Sequence, residues 1–175
     1  MNITGGIYKG QKVTAPDEKI TRPTLSKTRE SVFNVLFSMT DFEDKTFLDM
    51  FAGSGIMGLE ALSRGFSEVY CIEKNIKTAN ILKSNYAKLK LEPQLTIGDS
   101  IKILKESEKS FDVIYIDPPY ESDLYESSLK VIKEKKLLNK DGIIILEHDK
   151  EMTFGDFQLI KQKVYSQKFI SFLVQ

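Results

Sequence analysis

Apolar residues along this chain follow first one spacing and then another. Val32, Phe33, Leu36 and Phe37 recur three and four apart and predict a helix over residues 25–39, with Thr24 or Ser26 as its N-cap. From residue 46 short apolar runs alternate with helical repeats. Strands are predicted over 46–51, 68–72, 93–97, 111–116 and 142–147. Between them lie a helix through Leu62 that Gly65 stops, a helix capped by Asn75 with Ile76, Ala79, Leu82, Tyr86 and Leu89 on one face, a short helix over 100–106 and a helix over 124–138. Residues 157–174 are rich in β-branched and aromatic side chains and lack Gly and Pro, which predicts two strands turning near Ser166. Strand and helix thus alternate five times before an all-β end. That order specifies an α/β fold: a mostly parallel sheet with helices on both faces and an antiparallel C-terminal edge. A chain of 175 residues accommodates one such domain over 1–175, with a short N-terminal extension (1–40, a β-hairpin and a helix) before the core at 41–175.

Composition narrows the chemistry. No apolar run approaches the ~20 residues of a membrane helix, and the first residues contain no apolar segment of a secretory signal, so a cytoplasmic protein is expected. One cysteine, Cys71, and one histidine, His148, exclude an internal disulfide and a Cys/His zinc site, and no metal is expected. Lysines and arginines balance acids at a formal net charge of zero, which argues against a surface that grips nucleic acid all over. The distribution is uneven, however. Residues 1–29 carry six basic side chains against two acids, and residues 158–175 carry three lysines and no acid, so two basic ends flank an acidic middle and could meet on one surface.

Ligands of open α/β sheets bind outside the carboxyl ends of the strands. Four successive predicted strands end in acids there: Asp49, Glu73, Asp99 and Asp117. After the first, Gly53-Ser54-Gly55-Ile56-Met57-Gly58 has the G-x-G-x-x-G form, opens a helix, and is followed by Glu73 twenty residues after Gly53. Glycines admit a ligand close to the backbone, a helix N-terminus favours an anionic group, and a carboxylate accepts both hydroxyls of a ribose, which suits NAD and S-adenosylmethionine alike. Asp49 favours S-adenosylmethionine, because a carboxylate before the turn repels a pyrophosphate and attracts the ammonium of a methionine moiety. Asp99, with Ser100 beside it, suits an adenine amino group or, more plainly, a helix N-cap.

Asp117-Pro118-Pro119-Tyr120 is the most specific signal. The prolines fix the backbone and lack N–H donors, so carbonyls face the cleft without local competition. With Asp117 and the Pro118 carbonyl accepting both hydrogens of a conjugated amine, its lone pair is drawn out of conjugation and aimed at an electrophile. Tyr120 would stack on the base once it has left its helix or loop.

The segments Leu48-Asp49-Met50-Phe51-Ala52-Gly53-Ser54-Gly55, Gly58 to Gly65, Glu73 and Asp117 to Tyr120 resemble those of the RsmD family, the guanine-N2 methyltransferases of 16S ribosomal RNA. Gly5-Gly6, Lys9-Gly10, Arg22-Pro23-Thr24, Arg29-Glu30 and Phe33-Asn34 extend the resemblance to nearly the whole chain. It implies a Rossmann-like, seven-stranded methyltransferase fold, S-adenosyl-L-methionine as donor, and a guanine of 16S rRNA in the small ribosomal subunit or its assembly intermediate as acceptor. Asp49, Phe51, Gly53, Ser54 and Gly55 would line the methionine part, Glu73 the ribose, and Asp99 with Ser100 the adenine; Asp117, Pro118, Pro119 and Tyr120 would hold the target amine. Arg22, Thr24 and Arg29 would sit at the rim of the site or contact the rRNA, as would Lys9 and Lys12, a salt bridge to an acid being the other reading of Arg29. A monomer is expected. The chain departs from the family pattern at Asn2, Lys9, Gln11 and Lys27, where arginines are frequent, and lysine lacks arginine's bidentate fork for phosphate.

Other acceptors for the same chemistry are adenine N6 in DNA and a protein glutamine. An NAD-dependent oxidoreductase accounts for the glycines and Glu73 but leaves Asp-Pro-Pro-Tyr without a task. A noncatalytic RNA-binding assembly factor is the alternative outside enzymes, against which the intact Asp117 speaks.

Overall fold

The computed structural model describes residues 1–16, 26–119, 123–165 and 168–175. Its elements follow in the order α1 (Ser26–Phe37), β1 (Thr46–Asp49), α2 (Ile56–Ser63), β2 (Glu68–Glu73), α3 (Ile76–Lys88), β3 (Gln94–Ile97), α4 (Ser100–Lys105), β4 (Phe111–Ile116), α5 (Asp123–Lys135), β5 (Leu138–His148), β6 (Gln158–Tyr165) and β7 (Lys168–Val174). They form one seven-stranded sheet in the order β3-β2-β1-β4-β5-β7-β6. The pairs from β3 to β5 are parallel, while β7 runs antiparallel to both β5 and β6. Strand order reverses beside β1, so the carboxyl ends of β1 and β4 diverge into a crevice.

The central strands are apolar on both faces, and their alternation divides the core in two. Phe47, Val113, Tyr115, Ile143 and Ile145 face one side, where Val32, Phe33 and Leu36 of α1, Leu59 of α2 and Leu82 and Tyr86 of α3 cover them. Leu48, Ile114, Ile116, Ile144 and Leu146 face the other, under Leu104 of α4 and Leu129 and Ile132 of α5. A one-residue slip in any central strand would exchange these two sets.

Several expected boundaries shift, each for a local reason. Phe37 and Ile76 do not join the buried faces of their helices: Phe37 is 70% exposed at the last turn of α1, its ring edge-on to Phe42, and Ile76 opens α3 on the solvent side. The helix expected to Leu138 ends at Lys135 because Lys136 adopts φ 53°, and Leu138 already pairs with Phe111 at the start of β5. Asn75 caps α3 as expected, its Oδ1 accepting from the N–H groups of Lys77 (2.9 Å) and Thr78 (3.1 Å). Thr24 as a cap and the turn near Ser166 lie outside the described residues.

The N-terminal segment is stitched to the back of the glycine turn. Its antiparallel bridge Asn2–Lys12 is extended by Ile3 N–H to Gln11 O (3.0 Å) and Val13 N–H to Met1 O (2.8 Å). Ile7 N–H and Tyr8 N–H bond to the carbonyl and hydroxyl of Ser63 in α2 (both 2.8 Å), and a Cβ on Gly6 would lie 1.7 Å from the Ser63 carbonyl oxygen. Buried Asn85 of α3 joins the segment to the turn itself: its amide donates to Thr14 O (2.9 Å) and Ser54 O (3.0 Å), and its Oδ1 accepts from Thr14 N–H (2.9 Å). Asn85→Ala is expected to cost about 1 to 2 kcal/mol by leaving these groups without partners. A lower midpoint with an unchanged slope in urea denaturation checks it.

At the opposite end, β6 is an edge strand exposed on most of its length, where Leu159, Ile160 and Val164 are interleaved with Lys161 and Lys163. Among the described residues no helix is long and apolar enough to cross a membrane.

Candidate active site

The glycine turn after β1 is shaped by two close approaches. Gly55 adopts φ 78°, and a Cβ there would meet Leu82 at 2.7 Å; a Cβ on Gly58 would lie 2.3 Å from the Tyr86 hydroxyl. Gly55 and Gly58 therefore let α2 seat against α3 and β2, while Gly53 (φ 53°) turns the chain with open space beside it. Glu73 fastens the turn: its Oε2 accepts from Gly53 N–H (2.8 Å) and its Oε1 from Asn75 N–H (2.7 Å).

A cleft of about 660 Å³ opens over the carboxyl ends of β1, β2, β4 and β5 and is lined by Asp49, Phe51, Gly53, Ser54, Glu73, Asp99, Ser100, Asp117, Pro118 and Pro119. Among the described residues, those expected in the two half-sites thus share one cavity, with Gly55 not part of its lining. Asp49 is 1% exposed and its Oδ1 has no hydrogen-bond partner. Burial lifts its pKa from the usual carboxylate range to about 7, against the lowering effect of the Phe51 N–H, and the charge of Glu73 adds to the rise. A buried carboxylate oxygen left open in this way is a seat for a cation. Asp99 fulfils the plainer of its two readings, capping α4 by accepting from Lys102 N–H (3.1 Å), which holds its pKa down. Its second oxygen lies 3.6 Å from Lys74 Nζ. The Ser100 hydroxyl donates to Met50 O and ties α4 to the end of β1.

Arg29 corrects an expectation. It does not face the rRNA: the side chain is 0% exposed, its Nε 3.3 Å from Glu60 Oε1 of α2 and its Nη2 2.7 Å from the Asn2 carbonyl. Glu60, equally buried, also accepts from Thr4 N–H (2.8 Å) and pairs with Arg64 Nη1 (3.2 Å). A charge in that position is retained by its partners rather than by solvent. Lys9 and Lys12 are exposed on the N-terminal segment and do not line the cleft. Arg22, Thr24 and Tyr120 lie outside the described residues.

The cleft also contains residues that the sequence reading passed over. Glu147 and His148 end β5, a fifth strand end to which the same carboxyl-edge rule applies. Tyr115 donates to Glu147 Oε2 (2.7 Å), and burial, followed by the charge on Glu147, raises its phenol pKa well above normal. Lys168 enters from β7, whose first residue lies at the carboxyl edge because that strand runs antiparallel. No local pattern marks it.

A parallel sheet wound in this order, reversed only by its last two strands, with a glycine turn and Asp-Pro-Pro at one crevice, defines a Rossmann-like methyltransferase. The family described as conserved hypothetical protein 95 matches residues 1–174, and the chain belongs to it, the RsmD family. The Bacillus subtilis (strain 168) protein named "Putative rRNA methyltransferase YlbH" is 35% identical over 174 residues, 94% of each chain. Ribosomal RNA small subunit methyltransferase D of Escherichia coli (strain K12) is 31% identical over 172 residues, 95% of this chain and 86% of its own. Among solved structures, "Putative methyltransferase yhhF from Escherichia coli" superposes with a TM-score of 0.88 at 27% identity, covering 99% of this chain and 96% of that one.

Proposed function

We propose that the chain transfers a methyl group from S-adenosylmethionine to the exocyclic N2 amine of a guanine in small-subunit ribosomal RNA. The observation that carries this reading is the open, buried Asp49 oxygen in the same cleft as Asp117-Pro118-Pro119. It fits the ammonium of a methionine moiety and opposes a dinucleotide pyrophosphate, while the relatives named for small-subunit rRNA indicate the acceptor.

In the proposed arrangement Asp49 takes the ammonium, Phe51, Gly53 and Ser54 flank the methionine chain, and Gly55 supports the turn from below. Glu73 retains lone pairs for ribose hydroxyls beyond its two backbone donors, and Asp99 with Ser100 meets the adenine edge. S-adenosylmethionine supplies, when bound, a methyl group on a positively charged sulfur that leaves with the electron pair of their bond. Asp117 and the Pro118 carbonyl accept the two amine hydrogens, and Pro119 keeps that carbonyl fixed. As the nitrogen gains positive charge, the carboxylate beside it stabilises that charge and can take the proton the amine sheds. Tyr120 is assigned the stacking of the base, and Arg22, Thr24, Lys9 and Lys12 the approach of the RNA. The reading places the protein in the cytoplasm, as a monomer, with the subunit or its assembly intermediate as partner.

Incubating the protein and labelled cofactor with unmodified small subunits, free rRNA, DNA and ribosomal proteins, followed by mass spectrometry of the products, tests this. N2-methylguanosine at one rRNA position is expected; label in adenine or glutamine would reassign the acceptor, and none at all would leave a binder. Separately, Glu73→Ala is expected to weaken cofactor binding by about 1 to 3 kcal/mol through loss of charge-assisted bonds. Calorimetry that found an unchanged dissociation constant would move the ribose elsewhere.

A further inference from the structure

The cleft concentrates negative charge. Asp49, Glu73, Asp99, Asp117, Glu147 and Asp149 line it, against Lys74 and Lys168. Lys74 pairs with Asp99, away from Asp117. Lys168 Nζ lies 3.8 Å from Asp117 Oδ1 and hydrogen-bonds Glu147 Oε1. Glu147 is buried, and its other oxygen receives the Tyr115 hydroxyl at 2.7 Å. The four side chains form a line from β4 through β5 and β7 back to the end of β4, with the ammonium between two carboxylates.

A lysine stem is flexible and loses rotamer entropy when held, so a lysine fixed by a buried carboxylate acts as a placed charge. Its distance from Asp117 is long for a hydrogen bond and short for Coulomb attraction. Negative charge gathered around a carboxylate favours its protonated form, and an ammonium placed beside it opposes that.

We infer that Lys168 is a positioning residue for Asp117, anchored by Glu147 and keeping the aspartate charged and aimed as acceptor of the target amine. The inference rests on the role proposed for Asp117 above. Among the described residues, the titratable side chains that line the cleft with Asp117 and Lys168 include Glu147 and His148 of β5, Asp149, Tyr115 of β4, Asp49, Glu73, Asp99 and the Lys74 that Asp99 holds. Of these, Lys168 lies 3.8 Å from the Asp117 carboxylate.

The test compares Lys168→Met, Lys168→Arg and Asp117→Ala with the wild-type protein. Three quantities are read: kcat and KM with small subunits, the S-adenosylmethionine dissociation constant, and the pH midpoint of the Asp117 carboxyl carbon by NMR without substrate. Lys168→Met is expected to lower kcat by roughly 10- to 100-fold, to raise the carboxyl midpoint by about one pH unit or more, and to leave cofactor affinity within about twofold. Lys168→Arg should restore the midpoint and most of the rate. If Lys168→Met folds poorly, Lys168→Gln still donates to Glu147 without the charge, and the same quantities apply. An inactive Asp117→Ala beside a Lys168→Met with wild-type kcat and midpoint would overturn the inference alone. An active Asp117→Ala would overturn the role of Asp117 from which it starts.

Discussion

Asp117→Ala should bind S-adenosylmethionine with nearly unchanged affinity and lose methyl transfer by roughly 10³-fold or more. The split follows from location. Asp117 follows β4 in the same cleft, and the proposed arrangement gives it to the target amine and not to the cofactor, so its removal takes away no contact proposed for the cofactor. What disappears is an acceptor whose interaction strengthens only as the nitrogen acquires charge, and such interactions raise kcat rather than ground-state binding. Single-turnover rates with cofactor and small subunits saturating, set beside calorimetric cofactor affinity, measure the two halves separately. Retained turnover would remove the aspartate from the mechanism.

The second large effect concerns Asp49 and opposes function to stability. Burial raises its pKa in the folded protein from the model-peptide value of 3.8 to about 7, with the Phe51 N–H opposing and the Glu73 charge adding. A group with a raised folded-state pKa contributes stability below its unfolded value and loses it as pH climbs through the folded value. The cofactor-free protein should therefore lose stability between about pH 4 and 7, by about 4 kcal/mol at the ~1.4 kcal/mol that each pH unit represents. Asp49→Asn should flatten that slope, with denaturation midpoints at pH 5 and 8 as the check. Cofactor binding has the opposite dependence, since the ammonium selects the ionised form. Below pH 7 the dissociation constant should rise by up to about tenfold per pH unit, with a proton released on binding. Asp49→Asn should bind about 100-fold more weakly at neutral pH. Calorimetry in buffers of different ionisation enthalpy counts the proton, and a dissociation constant independent of pH from 5.5 to 7 would exclude the cation seat.

Asp49, Glu73, Asp99 and Asp117 were legible in the sequence because strand period and turn residues locate strand ends without any knowledge of packing. The glycine turn was legible too, although Gly58 proves to serve helix packing against Tyr86 rather than a ligand. Arg29 takes the salt bridge that was its second reading, and the partner could not be foreseen, because Glu60 lies thirty-one residues onward on a different helix. Lys168 carries no local signature, and only the antiparallel return of β7 brings it to Asp117. Phe37 fits the helical period but falls past the end of the core that α1 covers.

The Arg29–Glu60 pair has a bearing on engineering. Ile3, Val13, Val32, Phe33 and Leu36 pack in the same apolar cluster as Phe47 and Tyr115 of the sheet, and Glu60 draws its partners from Thr4, Arg29 and Arg64. Cutting the chain near residue 40 would take Thr4 and Arg29 from the buried Glu60, leaving it Arg64, and uncover the part of the core that α1 and the N-terminal segment cover. The first forty residues are therefore not an exchangeable cassette. On the RNA-facing role proposed for Lys9 and Lys12, altering which RNA the protein meets calls for point changes on these exposed side chains, made within an N-terminus that stays in place.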